Sequence, residues 1–304
     1  TVMKPLRIII AGLFCFWAQV LAPSTAPAAE SGHYMPGIEG IKLATAPPPG
    51  FYYKIYNIFY YSDTLKAHRT APRVKPDIQD FIMVHRPIWV TNWKILGGDY
   101  ITTLLIPLTF ADVHMRKYNL RDRTWALGDI GFEPFCLDWH KTRWDAMFSL
   151  AVFMPTGNHS ARRPALPGKD FWTLLVSLGP TFHLDHGKTW AVSGLMRYEL
   201  HSKKRDEDIR PGDDVALDVS ISKSLGRLWE VGLCGYGHWQ ITDDRGRDVY
   251  YDKNIHDRVF GIGPEIDIFV PFLKMKFQLR TQFEFGARDR TEGIITNLSY
   301  TKTF

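Results

Sequence analysis

From Lys274 to Phe285 the chain alternates without a break. Lys274, Lys276, Gln278, Arg280, Gln282 and Glu284 fall in one phase, and Met275, Phe277, Leu279, Thr281, Phe283 and Phe285 in the other. Successive strand side chains point to opposite faces, so this is a ribbon with one ionic and one apolar side. Two kinds of fold accept such a ribbon. A soluble sheet buries the apolar side in a core. A transmembrane barrel turns it outward to lipid and lines a wet interior with the charges. The segment is too polar to cross a membrane as a helix.

The same period recurs upstream. Val215, Leu217, Val219 and Ile221 alternate with Ala216, Asp218, Ser220 and Ser222; Ile262, Pro264, Ile266 and Ile268 alternate with Glu265 and Asp267. Runs long enough to cross a bilayer as strands are expected at 51–61, 78–93, 99–110, 126–137, 143–153, 171–183, 189–201, 214–223, 228–241, 258–270, 274–285 and 294–304. That is about twelve, an even number. The first and second runs carry apolar residues in both phases, and Pro134 breaks the fourth, where a bulge is expected. Connections alternate in length. Residues 62–77, 111–125, 154–170, 202–213 and 242–257 are long; 96–98, 139–142, 185–188, 225–227 and 271–273 are short. Long outer loops and tight inner turns are a barrel habit. Aromatics make up 14% of the chain, which suits rings placed at the headgroup level. The expected fold is therefore all-β: a transmembrane antiparallel up-and-down β-barrel of about twelve strands over residues 51–304.

The start reads as an export signal over residues 1–28. Met3-Lys4-Pro5-Leu6-Arg7 is basic, Ile8 to Leu21 is apolar, and Ala26-Pro27-Ala28 fits the small-x-small cleavage rule. Residues 29–50 hold Pro36, Gly37, Gly40 and the run Pro47-Pro48-Pro49-Gly50. They are too broken for a spanning strand and belong either in the periplasm or in the barrel lumen. At the other end, Phe304 is in phase with Leu298 and Tyr300. This resembles the closing strand of bacterial outer-membrane proteins, which implies recognition by the barrel-assembly machinery.

The net charge of +5 is spread among loops and interleaved with acids, which argues against nucleic-acid binding. Cys136 and Cys234 sit in separate strand-like runs and are read as unpaired. With no CxxC and no Cys/His cluster, the sequence carries no metal or cofactor signature. Catalysis is likewise unsupported. Asp112-Val113-His114, His159-Ser160 and His183-Leu184-Asp185-His186 are the nearest groupings, and none sits in a Gly-x-Ser-x-Gly elbow. The residues expected to line the lumen are Glu230, Tyr236, His238, Glu265, Asp267, Lys274, Lys276, Arg280 and Glu284. Ladder pairing of consecutive strands brings Glu265 and Asp267 near Lys276 and Arg280. Such a set fits a charged constriction that filters solutes, or an ion-pair ladder that fills the lumen. Tyr52, Tyr53, Tyr56, Tyr60 and Tyr61 fit an interfacial girdle or an inward aromatic ladder.

An ordered set of short motifs also carries a resemblance. Glu30-Ser31-Gly32-His33-Tyr34-Met35-Pro36-Gly37 leads to Ala46-Pro47-Pro48-Pro49-Gly50-Phe51-Tyr52; Leu127-Gly128-Asp129-Ile130, Pro155-Thr156-Gly157 and Arg210-Pro211-Gly212-Asp213 follow. The chain resembles the meta-pathway phenol degradation family of Gram-negative bacteria. The resemblance implies an outer-membrane barrel associated with aromatic-degradation pathways and passage for hydrophobic or aromatic compounds, with no catalytic residues to transfer. Basic outer loops, such as Arg162-Arg163 and Lys203-Lys204-Arg205, suit the phosphates of lipopolysaccharide. The expected function is passive uptake of small solutes across the outer membrane. A lipid-modifying enzyme of that membrane and a closed structural barrel are the alternatives.

Overall fold

The computed structural model describes residues 32–66, 75–115, 119–160, 163–249 and 252–304. The expected export signal, Arg162 and most of the 67–76 connection lie outside this set. Thirteen strand segments follow in order: β1 (Gly50–Lys66), β2 (Asp77–Ile95), β3 (Gly98–Met115), β4 (Leu120–Leu127), β5 (Ile130–His140), β6 (Trp144–Met154), β7 (Thr173–His183), β8 (Trp190–His201), β9 (Asp214–Leu225), β10 (Trp229–Gln240), β11 (Arg258–Val270), β12 (Met275–Arg288) and β13 (Arg290–Thr303). Every neighbour pairs antiparallel, and β1 pairs with both β2 and β13, which closes the sheet. Both β4 and β5 pair with β3. They are two halves of one stave, interrupted at Gly128-Asp129, so the barrel has twelve staves. The expected irregularity near Pro134 is present: the β5–β6 register shifts between Phe132 and Phe135.

Strand reaches into the expected connections 62–77 and 111–125, and the hairpin between the last two strands is tight. β1 runs on to Lys66, β3 reaches Met115 with β4 starting at Leu120, and only Asp289 separates β12 from β13. These hairpins extend past the bilayer as paired ribbon, where charged residues are compatible with strand on both faces. The genuinely long connections are 155–172, 202–213 and 241–257, all at the same end as these hairpins. The opposite end carries only tight turns, so the long-loop end is the outer one.

Facing follows the alternation. Leu217, Val219, Ile221, Ile262, Ile266, Leu279 and Phe283 are exposed, while Asp218, Ser220, Ser222, Glu265, Asp267 and Arg280 are buried. A closed sheet with its apolar residues outside and its charges inside is built for lipid. Exposed Trp89, Trp93, Trp144, Trp190, Trp229 and Phe304 ring the tight-turn end, as an interfacial girdle requires. The protein is thus a β-barrel of the bacterial outer membrane. Val219 sits mid-strand on the lipid face and is 46% exposed. Val219→Arg is expected to cost about 2–4 kcal/mol of folding stability in the bilayer, read as a lowered urea midpoint for folding into vesicles. Ala216→Ser on the inner face should leave that midpoint nearly unchanged.

Candidate functional site: a plugged lumen with two unlike walls

The Gly/Pro-rich segment is luminal. Residues 32–49 thread the barrel from the long-loop end to the tight-turn end and then enter β1. The contacts fall in three tiers. At the outer end, the backbone N–H groups of His33 and Tyr34 both donate to Glu199 Oε1, at 2.8 and 2.9 Å. His33 also lies 2.9 Å from Asp129 and stacks on Phe153. Tyr34 donates to Asp218 at 2.6 Å beneath the Arg197 guanidinium, and Gly37 N–H donates to the other Asp218 oxygen. In the middle, Glu39 takes hydrogen bonds from Arg86 at 2.6 Å and Tyr56 at 3.1 Å. The Ile38 carbonyl accepts from Arg280 at 2.6 Å and Asn297 at 3.2 Å. At the inner end, Lys42 pairs with Glu230, Thr45 donates to Asp145, and Ala46 N–H donates to Asp138.

Composition explains this path. Gly37 adopts φ +76°, and a Cβ there would lie 2.4 Å from Gln282 Oε1; a Cβ at Gly40 would lie 2.1 Å from both Glu265 oxygens. Only glycine lets the backbone lie so close to the wall. The triple proline keeps the exit extended, and Tyr52 holds it by donating to the Pro48 carbonyl at 2.7 Å.

The lumen's two walls differ. On the β7–β12 side the inward groups are mostly hydroxyls and ion pairs, with Leu175, Leu195 and Val259 among them. Arg280 pairs with Glu265 at 2.6 Å and Lys276 with Asp267 at 2.7 Å, the juxtaposition that ladder pairing predicts. Tyr236 donates to Glu284 at 2.8 Å, and Glu230 accepts from Ser222 at 2.9 Å. His238 is fully buried beside Arg290. Of the nine residues expected to line the lumen, eight face inward. Lys274 is the exception: it is the exposed, left-handed residue (φ 48°) that closes the turn between β11 and β12. The strand begins one residue later, so its alternation cannot carry Lys274 inside.

The β1–β3 side is richer in apolar groups. Ile58, Ile82, Val84, Leu105, Ala111 and Val113 face inward, interspersed with Lys54, Asp80, Arg86 and Thr109, and line a cavity of about 1080 Å³ together with the plug and parts of the polar wall. Outside, on the same strands, Phe59 packs on Phe81 with ring centroids 4.8 Å apart. Both faces carry apolar residues for different reasons, which is why sequence phase alone left β1 and β2 unresolved. The five tyrosines divide between faces. Tyr52 and Tyr56 are buried inside, and half-buried Tyr60 joins them on that face, its hydroxyl donating to Glu284 at 3.1 Å; Tyr61 is exposed outside. An interfacial girdle therefore describes only part of the set.

Sequence reasoning missed Glu39, Arg86, Arg197 and Glu199. The β8 phase carried the signal for Arg197 and Glu199, which alternate with Leu200 and Met196. Arg86 had none, since its strand is apolar in both phases. The groupings screened for catalysis are dispersed: Asp112 binds Arg121 and Arg123, His183 binds Asp145, and His159 binds the Gly168 carbonyl. Cys136 and Cys234 are both free and buried. In the outer loops, burial works to raise the Asp170 carboxyl, but the Asp206 N–H and the Arg205 guanidinium hold it below the usual carboxylate range. Asp208 is held low by Arg247 and Lys203. The basic outer residues are thus largely paired within the protein.

Comparison with known proteins places this architecture. The chain superimposes on the crystal structure of an outer membrane channel from Pseudomonas putida F1 with a TM-score of 0.74 at 13% identity, covering 88% of this chain and 100% of that one. The β domain of the Bordetella autotransporter BrkA gives 0.49 at 10% identity, covering 84% and 99% of the two chains. The translocator domain of NalP from Neisseria meningitidis gives 0.49 at 9%, covering 86% and 91%. A search of curated protein sequences finds no match. The profile of the family described as "Putative MetA-pathway of phenol degradation" matches residues 62–300, nearly the whole barrel. On that match, the chain belongs to this family.

Proposed function

We propose that the protein admits small hydrophobic solutes, aromatic ones included, across the outer membrane by passive passage through its lumen. The observation that carries this reading is the apolar stretch on the inner face of β1–β3 around Ile58, Ile82, Val84 and Leu105. A pore for hydrophilic solutes gains nothing from Ile58, Ile82, Val84 and Leu105 facing the same cavity, because such a wall solvates neither ions nor sugars. An apolar solute leaves water favourably there, at about 25 cal/mol per Å² of apolar surface removed. Both walls anchor the plug, through Glu199, Asp218 and Arg280 on one side and Tyr56 and Arg86 on the other. Passage in this reading is passive, so flux runs down a gradient. The family's association with phenol degradation and the channel nature of the Pseudomonas protein point the same way. In this reading the partners are outer-membrane lipid and lipopolysaccharide outside, and the barrel-assembly machinery at the strand ending in Phe304.

The test is uptake by cells with and without the protein, across phenol, a fatty acid and a charged sugar acid. The intact protein is expected to raise uptake of the first two and not of the third. Ile58→Glu, which places a carboxylate in the apolar stretch between Ile82 and Asn297 of the neighbouring strands, is expected to lower phenol uptake at least ~5-fold, as an unpaired charge there is costly to desolvate. Equal uptake of phenol with and without the protein would refute the reading.

A further inference from the structure

Three strands of the polar wall bring a second kind of site together at the outer end of the lumen. Glu199 closes β8, Asp214 opens β9, and His238 lies near the end of β10. One ligand atom from each lies within 4.8 Å of the others, and all three residues are buried. We propose that Glu199, Asp214 and His238 bind a divalent transition-metal ion of the zinc class, one per chain.

Two observations point to a ligand. Glu199 Oε2 and His238 Nε2 have no hydrogen-bond partner among the described residues, although Glu199 is 2% and His238 0% exposed. A buried polar atom without a partner costs free energy, and a cation shared between them removes that cost. The remaining atoms of the same side chains are already held, as outer-shell partners hold metal ligands. Glu199 Oε1 accepts the N–H groups of His33 and Tyr34. Asp214 Oδ2 lies 3.0 Å from His201 Nε2. His238 Nδ1 lies 3.4 Å from Asp257 Oδ1 and 3.0 Å from Arg290. A ring proton on Nδ1 serves Asp257 and leaves the Nε2 lone pair for the metal. A proton on Nε2 leaves Nδ1 to accept from Arg290 and prevents ligation.

The donor chemistry selects the ion. One imidazole nitrogen and two carboxylates suit zinc, with bonds of about 2.0–2.2 Å and a fourth position for water or a backbone oxygen. Calcium prefers six to eight oxygens and magnesium avoids losing its waters, so both should bind more weakly. Because Glu199 also carries the outer anchor of the plug, the ion would tie the plug's first residues to three staves at once.

Protein without a polyhistidine tag, stripped with chelator and titrated with zinc chloride by calorimetry, should bind about one equivalent. Glu199→Gln combined with His238→Gln should abolish that binding, while His256→Gln in the outer loop should leave it unchanged. His201→Gln, which removes the support behind Asp214 together with the ring contact to Phe171 and touches none of the three ligand atoms, should weaken it about 10- to 100-fold. X-ray absorption at the zinc edge of the unmutated protein gives a check that needs no variant to fold. A nitrogen/oxygen shell with a single imidazole is expected. No stoichiometric binding, a sulfur or multi-imidazole shell, or full binding by the double variant would overturn the assignment.

Discussion

Deleting residues 32–46 is expected to raise single-channel conductance in planar bilayers roughly tenfold or more, because the plug and not the barrel wall sets the narrowest section. The staves are joined by their own backbone ladder, from β1–β13 around to β2–β3. The plug contributes nothing to it. Its wall contacts run through side chains, as when Gly37 N–H meets Asp218, Ala46 N–H meets Asp138, and Glu39 meets Arg86. A closed barrel needs no inner partner for its backbone groups, so the shortened chain should still fold and keep its heat-modifiable mobility in gels. Charge selectivity should change less than size. The deletion removes Glu39 from between Lys54 and Arg86 but also removes Lys42 from Glu230, so the cations it exposes are matched by exposed carboxylates. Gly40→Trp is the graded version, since any side chain at Gly40 meets Glu265 and Arg280 at once. It should displace the middle tier and open intermediate, flickering states. Conductance unchanged by the deletion would place the barrier in the wall instead.

How much of this was legible in the chain varies with what each face has to satisfy. Strands β7 to β12 stand between lipid and a polar lumen, so one phase is apolar and the other is not. The register and facing of Val215–Ser222 and Glu265–Asp267 follow from that contrast alone. On β1 and β2 the inner face carries the apolar stretch of the lumen, both phases are greasy, and the pattern loses its information. Ile58 and Phe59 are equally apolar in sequence, though one is 1% exposed and the other 50%. The hairpin ends misled in the opposite sense. Outside the bilayer neither face touches lipid, so charges such as Asp63, Lys66, Arg121 and Arg123 look like loop while the backbone remains paired ribbon. The plug's place could be framed but not decided, because Gly37 and Gly40 fit any close backbone approach. Which wall they approach is a tertiary fact. The Glu199–Asp214–His238 cluster was out of reach for a related reason: its members are spread over three strands, and no local spacing links them.

The buried pair of Glu265 and Arg280 should prove the least dispensable of the luminal contacts. The two residues face each other across the β11–β12 ladder, 3% and 4% exposed. Arg280 spends one guanidinium nitrogen on Glu265 and another on the Ile38 carbonyl, each at 2.6 Å. Arg280→Met takes away the cation and leaves Glu265 beside the Cys234 thiol and the Gln278 amide as donors, neither of which carries charge. An uncompensated buried carboxylate is expected to cost about 3–5 kcal/mol, read as a lower urea midpoint for folding into vesicles by tryptophan fluorescence. Adding Glu265→Gln should recover most of that loss, because the double variant buries no lone charge. It should not restore the bond to Ile38, so the plug's middle tier stays loose and the recovered barrel should still conduct more than the unmutated protein. Stability and conductance would then separate: the first follows the ion pair, the second the plug. If the two substitutions instead add independently in stability, the pair is not coupled, and the polar wall is held by its backbone ladder alone.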